Sequence, residues 1–171
     1  MRGFVQIYTG DGKGKTTAVL GLAIRAAGAG LRVYIGQFVK NADYSELHAL
    51  RHLPEAITIE QYGLGCMLIH AVTRQDIDAA RHGLATINAA MTSGTFDLVI
   101  ADEINVACVL GLLEECDLLE LVARRPPAVE LVLTGRGAPL SVLERADLVT
   151  EMRTIKHYYE RGVLARKGIE G

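Results

Sequence analysis

The chain has 171 residues, of which 50% are hydrophobic, and its formal net charge is -2 at pH 7. This length predicts a single domain, residues 1–171, whose core buries about two thirds of the unfolded surface. The balanced charge excludes the basic field that sequence-independent nucleic-acid binding requires. The first predicted strand begins within three residues of Met1, which leaves no room for a signal peptide, and no apolar run approaches the length of a membrane span. We therefore expect a cytoplasmic protein with neither a membrane nor a nucleic acid as partner.

The first two predicted elements flank a glycine-rich loop. Residues Phe4–Tyr8 have strand character, and Thr16–Ala27 carries apolar residues at helical spacing. Glycines let backbone N–H groups converge, and the start of a helix favours an anion. The loop is therefore predicted to bind phosphate through nine residues: Thr9, Gly10, Asp11, Gly12, Lys13, Gly14, Lys15, Thr16 and Thr17.

This loop matches the Walker A pattern except at one position, where Thr9 replaces the first glycine. In that pattern Lys15 reaches the terminal phosphates and the Thr16 hydroxyl ligates Mg²⁺, while Lys13 adds a second cation. A glycine-rich turn without a ligand is the alternative. The strand-loop-helix context favours nucleotide binding, although the loop does not distinguish ATP from GTP.

Two more strands, Val33–Phe38 and Ile57–Gln61, follow, and the longest predicted helix covers Thr73–Met91. In this helix apolar residues recur at spacings of three and four, and Thr73 and Asp76 form a predicted capping box. We interpret the helix as scaffold.

Two acidic residues follow the apolar strand Leu98–Ala101. Asp102 and Glu103 stand in the Walker B position, at the strand end where open parallel sheets bind ligands. Together with Thr16 they are the predicted ligands of Mg²⁺ or Mn²⁺. The alternative is that they cap a helix beginning at Ile104.

The remaining elements are a helix over Asp117–Ala123 and the strands Val129–Thr134 and Asp147–Thr150. Arg136 follows the first of these strands and could clamp a triphosphate, whereas a solvated arginine in a surface turn is the ordinary alternative. Apolar strands that alternate with helices predict a three-layer α/β fold of the P-loop NTPase (RecA-like) type with a mostly parallel sheet.

The motifs together resemble the ATP:corrinoid adenosyltransferases of bacterial cobalamin biosynthesis. The resemblance covers most of the chain. The stretches that carry it are Tyr8-Thr9-Gly10-Asp11-Gly12-Lys13-Gly14-Lys15-Thr16-Thr17, Gln37-Phe38-Val39-Lys40, Asp102-Glu103-Ile104-Asn105 and Leu133-Thr134-Gly135-Arg136-Gly137. Near the end of the chain they are Ala146-Asp147-Leu148-Val149-Thr150-Glu151-Met152, Lys156-His157, and Gly162 through Lys167-Gly168-Ile169-Glu170.

The resemblance implies transfer of the 5′-deoxyadenosyl group of ATP to the cobalt(I) of a reduced corrinoid, with triphosphate as leaving group. Cobalt(I) is already a strong nucleophile, so the protein must align the reactants and neutralise the triphosphate. Lys15, Glu103 and Arg136 are the predicted catalytic residues. The resemblance further implies a reversed ATP orientation that exposes C5′, a homodimer, and a flavoprotein as reductant.

The predicted corrinoid contacts are Tyr62, Gly65, Cys66, Met67 and Leu68. The family has two glycines followed by an aromatic, a threonine and a tryptophan in this loop, whereas this chain has Gly63-Leu64-Gly65-Cys66-Met67-Leu68. Those aromatics help displace the lower axial ligand of cobalt in the family. We hypothesise that the side chains present here still pack on the corrin face. For Cys66 the alternative is a small buried hydrophobe.

Two other functions remain compatible with the residues alone. In a P-loop ATPase or small-molecule kinase, Glu103 would orient water or a hydroxyl for attack on the γ-phosphate. A nucleotide-binding regulator would turn over nothing. The reaction products distinguish them, because the adenosyltransferase releases triphosphate and the kinase or ATPase releases ADP.

Overall fold

The computed structural model of the protein describes residues 2–52, 56–64 and 71–170. Six strands form one sheet in the order β3-β2-β4-β5-β1-β6. Every adjacent pair of strands is parallel. The strands are β1 (Val5–Thr9), β2 (Val33–Phe38), β3 (Ile57–Tyr62), β4 (Leu98–Asp102), β5 (Glu130–Thr134) and β6 (Leu148–Glu151). The predicted α/β fold with a parallel central sheet is confirmed. Each of these six strands begins and ends within one residue of its predicted bounds.

Helices connect the strands and cover both faces of the sheet. The two long ones are α1 (Lys15–Gly28) and α3 (Arg74–Thr92), and the shorter ones are α2 (Ser45–Leu50), α4 (Ile104–Val109), α5 (Glu115–Ala123) and α6 (Leu140–Leu143). No helix in the described parts of the chain is long and apolar enough to cross a membrane.

Alternating side chains of the central strands build two cores. Val33, Ile35 and Ile100 pack with Val19 and Ala23 of α1 on one face. On the other face, Tyr34, Val99 and Leu133 belong to a cluster that also contains residues of α3 to α6. Strands that are buried on both faces read as continuously apolar sequence, which is why they were predictable.

Local sequence signals set the start of the longest helix. The Thr73 side chain accepts the backbone N–H of Asp76, and the Asp76 carboxylate accepts the backbone N–H of Thr73. The predicted capping box is therefore confirmed. It satisfies two backbone donors that would otherwise lack partners at a helix N-terminus.

Strand register brings polar side chains to one edge of the sheet. Gln37 of β2 lies opposite Asp102 of β4, and Thr134 of β5 lies opposite Tyr8 of β1. Gln37, Asp102 and Thr134 have no solvent-exposed surface. Because parallel strands end at the same edge, the ends of β1, β2, β4 and β5 surround one site next to the P-loop.

Candidate functional site

The predicted phosphate-binding loop runs from the end of β1 to the start of α1, the position that the sequence indicated. Gly10 and Gly14 adopt φ values of 91° and 119°, a region that favours glycine. A Cβ on Gly10 would lie 2.4 Å from the carbonyl oxygen of Met152. Thr9 is the last residue of β1 and does not have a positive φ. Threonine therefore fits at the position where the Walker A pattern has its first glycine.

Lys15 lies almost buried at the start of α1 and folds back over the loop. Its Nζ donates to the carbonyl oxygens of Gly10 and Gly12, at 2.6 and 2.8 Å. Burial lowers the pKa of Lys15; the negative charge of Glu103 opposes this effect and the positive charge of Arg136 adds to it. The loop therefore holds its principal cation against carbonyl groups, which an incoming anion can replace as partners.

Asp102 is the centre of a saturated hydrogen-bond network. Its Oδ1 accepts the Thr134 hydroxyl at 2.7 Å and the Thr16 hydroxyl at 3.1 Å. Its Oδ2 accepts Gln37 Nε2 at 3.1 Å and Lys40 Nζ at 2.8 Å. A carboxylate has about four lone-pair positions, so these donors occupy its accepting capacity. The Thr16–Asp102 contact joins the two predicted nucleotide motifs.

Glu103 adopts a left-handed backbone conformation, with φ 61°, immediately before α4. It stands at the helix N-cap position, but its side chain makes no capping hydrogen bond, so the capping alternative has no support at this residue. Burial raises the pKa of Glu103, as does the charge of Asp102, while Lys40, Lys15 and Arg136 lower it. These charges place its carboxyl group at the same site.

Arg136 follows β5 in an exposed turn beside the same edge. The turn is held against the start of α4, because Asn105 Nδ2 donates to the Gly135 carbonyl oxygen at 3.4 Å. A Cβ on Gly135 would lie 2.9 Å from the backbone nitrogen of Val106. The fold thus brings Arg136 within electrostatic reach of Lys15 and Glu103.

The oxygen atoms of Thr16, Asp102 and Glu103 are of the kind that ligate a magnesium ion. The Thr16 hydroxyl and the Asp102 carboxylate are adjacent, and Glu103 follows in sequence. Mg²⁺ keeps several waters and usually takes one or two carboxylates plus substrate phosphates, so this small donor set is sufficient. Within the described ranges, no group of three His, Cys, Asp or Glu side chains is arranged to hold a metal ion. The cationic Lys40 Nζ lies 3.3 Å from Thr16 Oγ1, which shows that the Thr16–Asp102 pair attracts positive charge.

The C-terminal segment contacts the phosphate-binding loop from outside. Met152 exchanges backbone hydrogen bonds with the loop, accepting from Gly12 at 2.7 Å and donating to Thr9 at 2.8 Å. Lys13 Nζ donates to the carbonyl oxygen of Ile169 at 2.9 Å. Lys13, the predicted second cation of the loop, therefore contacts the C-terminal segment, whereas Lys15 contacts carbonyl groups of the loop itself. Asp11 of the loop and Thr17 of α1 are exposed.

The predicted corrinoid residues divide into two groups. Gly65, Cys66, Met67 and Leu68 lie outside the described residues. Tyr62 is buried: its ring packs on Phe38 and His82, and its hydroxyl donates to Glu60 at 2.6 Å.

Sequence reasoning assigned no role to Gln37, Lys40 or Thr134, although all three contact Asp102. A common signal was present, because each lies at or just beyond the end of a buried strand. The side-chain contacts themselves depend on strand order, which local sequence patterns do not specify.

Known proteins of one family match this chain over nearly its full length. A model of the family "ATP:corrinoid adenosyltransferase BtuR/CobO/CobP" matches residues 1–171. The chain is 34% identical over 170 residues to a corrinoid adenosyltransferase of Pseudomonas aeruginosa, covering 99% of this chain and 84% of that protein. It is 31% identical over 170 residues to a corrinoid adenosyltransferase of Escherichia coli K12, covering 99% and 86% respectively. For the corrinoid adenosyltransferase CobA of Salmonella typhimurium, the identity is 30% over 175 residues, with 99% and 86% covered. Over residues 1–171, this chain therefore belongs to the ATP:corrinoid adenosyltransferase family.

Proposed function

We propose that this protein transfers the 5′-deoxyadenosyl group of ATP to the cobalt(I) of a reduced corrinoid. The cobalt lone pair attacks C5′, the C5′–O5′ bond breaks, and triphosphate leaves with the bonding electrons. The cobalt is thereby oxidised by two electrons to alkylcobalt(III). Because the substrate supplies the nucleophile, the protein must mainly orient the two substrates and stabilise the leaving group.

The observation that carries this proposal is the convergence of Lys15, Arg136 and the Thr16–Asp102 pair at one edge of the sheet. The loop residues Thr9 to Thr17 bind the triphosphate through backbone N–H groups and through Lys13 and Lys15. Arg136 offers a planar set of donors that never loses its charge, which suits a leaving group that gains negative charge as C5′–O5′ breaks. ATP lies reversed relative to a P-loop hydrolase, so that C5′ faces the corrinoid.

Thr16, Asp102 and Glu103 hold Mg²⁺, or Mn²⁺ in its place. The bound metal supplies charge that neutralises the triphosphate oxygens. Glu103 is the third side chain of this metal site, and its backbone has the strained left-handed conformation. Its carboxylate helps to orient the metal ion against the phosphates. Backbone strain of this kind persists where surrounding structure holds it, and it is common at functional sites.

The corrinoid binds beside the nucleotide through residues 65–68, and the buried Tyr62 contributes by fixing the strand end that precedes them. Support comes from Gly63, whose Cβ position lies 2.3 Å from the carbonyl carbon of Val39, next to Lys40. Gly63, two residues before the proposed corrinoid contacts, therefore packs against the turn that contains Lys40. Changing Leu68 to Asp is expected to weaken corrinoid binding at least tenfold without changing ATP binding, measured by titrating each ligand. Unaltered corrinoid affinity would remove this assignment.

Three further features complete the proposal. The protein works in the cytoplasm and forms a homodimer, and a flavoprotein supplies the electron that yields cobalt(I). The exposed apolar residues Leu148 and Val149 on the edge strand β6 support self-association, because an open strand edge can pair with another chain. Sedimentation at several protein concentrations tests the dimer.

The deciding experiment is an anaerobic assay with ATP, Mg²⁺ and chemically reduced cobalamin. We expect the cobalt(I) absorbance to disappear, with a light-sensitive adenosylcorrinoid and free triphosphate as products in equal amounts. ADP with cobalt(I) unchanged would instead identify the ATPase or kinase, and corrinoid binding without any product would identify the regulator. Parallel assays with an incomplete corrinoid precursor measure the substrate range.

A further inference from the structure

Among the described donors to Asp102, Lys40 is the charged one, and its long side chain can swing away while the hydroxyl of Thr16 stays at the site as a proposed metal ligand. The Gln37 and Thr134 donors come from buried positions in the sheet, with no exposed surface. Lys40 lies two residues beyond the end of β2, and 16% of its side chain is exposed, whereas none of the Asp102 side chain is. If a metal ion or its water is to gain access to the Asp102 carboxylate, a donor must leave, and the lysine ammonium is the donor that can move into solvent.

Lys40 Nζ contacts both of the side chains that the proposed function assigns to the metal ion, Thr16 and Asp102. Its Nζ lies 2.8 Å from Asp102 Oδ2 and 3.3 Å from Thr16 Oγ1. The Thr16 hydroxyl donates its proton to Asp102, so it accepts Lys40 through a lone pair that a metal ion would also need. Two cations that share one carboxylate also repel each other. The ammonium and a divalent cation therefore exclude one another.

The backbone holds Lys40 at this place under strain. Val39 has a φ of 63°, an uncommon conformation for a β-branched residue. Gly63 packs against this turn so closely that its Cβ position lies 2.5 Å from the backbone nitrogen of Lys40. A second ion pair, 3.8 Å from Lys40 Nζ to Glu46 Oε1, offers an anionic partner other than Asp102.

We propose that Lys40 is an internal counter-ion that competes with the divalent metal for the Thr16–Asp102 pair. When the site lacks metal, Lys40 neutralises the buried Asp102. When the metal enters, Lys40 leaves Asp102, and its charge becomes available to the bound triphosphate. Lys40 is thus a positioning residue whose release accompanies metal entry. The inference rests on the proposed function only in placing a divalent metal at this pair.

The test measures Mn²⁺ binding to the nucleotide-free protein by electron paramagnetic resonance. We expect Lys40→Met to bind Mn²⁺ at least tenfold more tightly than the wild type. Tenfold is a lower bound, because the Coulomb repulsion between a divalent cation and a unit charge about 4 Å away exceeds a tenfold effect even at the dielectric constant of bulk water. Lys40→Arg retains the charge and should keep the weak affinity of the wild type. Lys156→Met changes an exposed lysine and serves as the matched control.

A second pair of variants identifies the metal position. Asp102→Asn should abolish the tight Mn²⁺ binding in the Lys40→Met background. Lys40→Met should also lower Tm in the absence of metal, because a buried carboxylate loses its counter-ion, and saturating Mg²⁺ should restore it. Affinity that is unchanged or weaker in Lys40→Met would overturn the proposal.

If Lys40→Met does not fold, nuclear magnetic resonance of the wild type replaces it. Side-chain amine signals of the five lysines are followed during a Mg²⁺ titration, and Lys40→Arg identifies the signal of Lys40. We expect the Lys40 signal to shift toward that of an exposed lysine as Mg²⁺ binds. A Lys40 signal that does not change at saturating Mg²⁺ would equally overturn the proposal. None of these measurements uses a corrinoid, so they are independent of the adenosyl-transfer assay.

Discussion

The buried charges of Asp102 and Lys15 are tolerated because hydrogen-bond partners compensate them. Asp102 receives four donors, and Lys15 donates to two carbonyl groups of its own loop. Burial lowers the pKa of Lys40, but the negative charge of Asp102 and its hydrogen bond raise it by more. Removing one partner of such a pair leaves an uncompensated charge, so single substitutions here have large effects.

At Lys15, substitution by Met should abolish catalysis while the fold is kept. The lysine is the cation of the loop closest to the predicted triphosphate, and loss of a charge at a developing anion costs about 100-fold or more in rate. We expect kcat/KM to fall by at least that factor. Lys156→Met controls for loss of a surface charge, and equal activity of the two variants would contradict the assignment.

At Glu103, substitution by Gln should raise stability at neutral pH and lower activity. The folded-state pKa of Glu103 is raised, chiefly by burial. The unfolded chain therefore holds its proton less tightly, and the ionised carboxylate destabilises the fold once the pH exceeds the ordinary value of about 4.3. Thermal melts should show a higher Tm for Glu103→Gln at pH 7 and a smaller difference near pH 4.

If the Tm difference between Glu103→Gln and the wild type is the same at both pH values, the charge of Glu103 does not destabilise the folded protein. Activity of Glu103→Gln should fall at least tenfold, because an amide lacks the charge that the proposed metal site requires. Retained activity would limit Glu103 to a structural role.

At the scale of elements, glycines set how closely the loops approach one another. Gly10 and Gly12 lie against the backbone that follows β6, and Gly63 lies against the turn that follows β2. The site is therefore assembled by contacts between loops, each of which leaves a different strand. A side chain at one of these glycines meets rigid backbone, which cannot move aside as a flexible side chain can.

Gly63→Ala should destabilise the protein and displace Lys40. The new Cβ would meet backbone atoms of Val39 and Lys40 at 2.3–2.6 Å. We expect a loss of about 1–3 kcal/mol in the free energy of unfolding, measured with urea. Gly21→Ala is the matched control, because Gly21 lies within α1 and a Cβ there has no neighbour within 4 Å. That variant should gain about 0.5–1 kcal/mol.

Similar stability of the two variants would contradict the packing argument for Gly63. Mn²⁺ titration of Gly63→Ala adds a second readout. If the substitution moves Lys40 from Asp102, nucleotide-free Mn²⁺ binding should become tighter, as in Lys40→Met.

At the scale of the whole molecule, the C-terminal segment connects distant parts of the fold. It leaves β6 at the sheet edge, passes the phosphate-binding loop at Met152, and returns to Lys13 through Ile169. Glu170 fastens its end, accepting from the Tyr158 hydroxyl and from Arg166 Nη2 at 3.0 Å. His157 accepts the backbone N–H of Tyr159 at 3.1 Å and so caps the 3₁₀ turn Tyr158–Arg161.

Glu170→Gln should loosen this segment while the sheet stays intact. Hydrogen bonds from Arg166 and Tyr158 lower the pKa of Glu170 to about 2. A lowered folded-state pKa means that the anchoring is complete above the ordinary value of about 4.3 and is lost as the pH falls through about 2. Hydrogen exchange should show faster exchange for residues 158–170 in the variant at pH 7, with β1 and β4 unchanged.

In the wild type, protection of the same residues should decrease as the pH falls from 5 to 3. Protection that is equal in variant and wild type at pH 7 would show that Glu170 does not anchor the segment.

The sequence by itself determined the helices and strands and the position and backbone of the glycine-rich loop between β1 and α1. Buried parallel strands such as Leu98–Asp102 are continuously apolar, the Thr73–Asp76 capping box is local, and the glycines of the loop encode its backbone. These features depend on neighbours within a few residues, so a linear pattern contains them. Thr16 and Asp102 could also be assigned to one site from the sequence. Each belongs to a motif that follows a predicted strand, and parallel strands end at the same edge of a sheet.

Only the tertiary structure decided which side chains neutralise Asp102. Gln37, Lys40 and Thr134 come from strands separated by up to about a hundred residues, and their convergence depends on the strand order β2-β4-β5. The contact of Lys13 with Ile169 spans 156 positions. A charge interaction of this kind is set by distance through space and by burial, and neither quantity is contained in local sequence spacing.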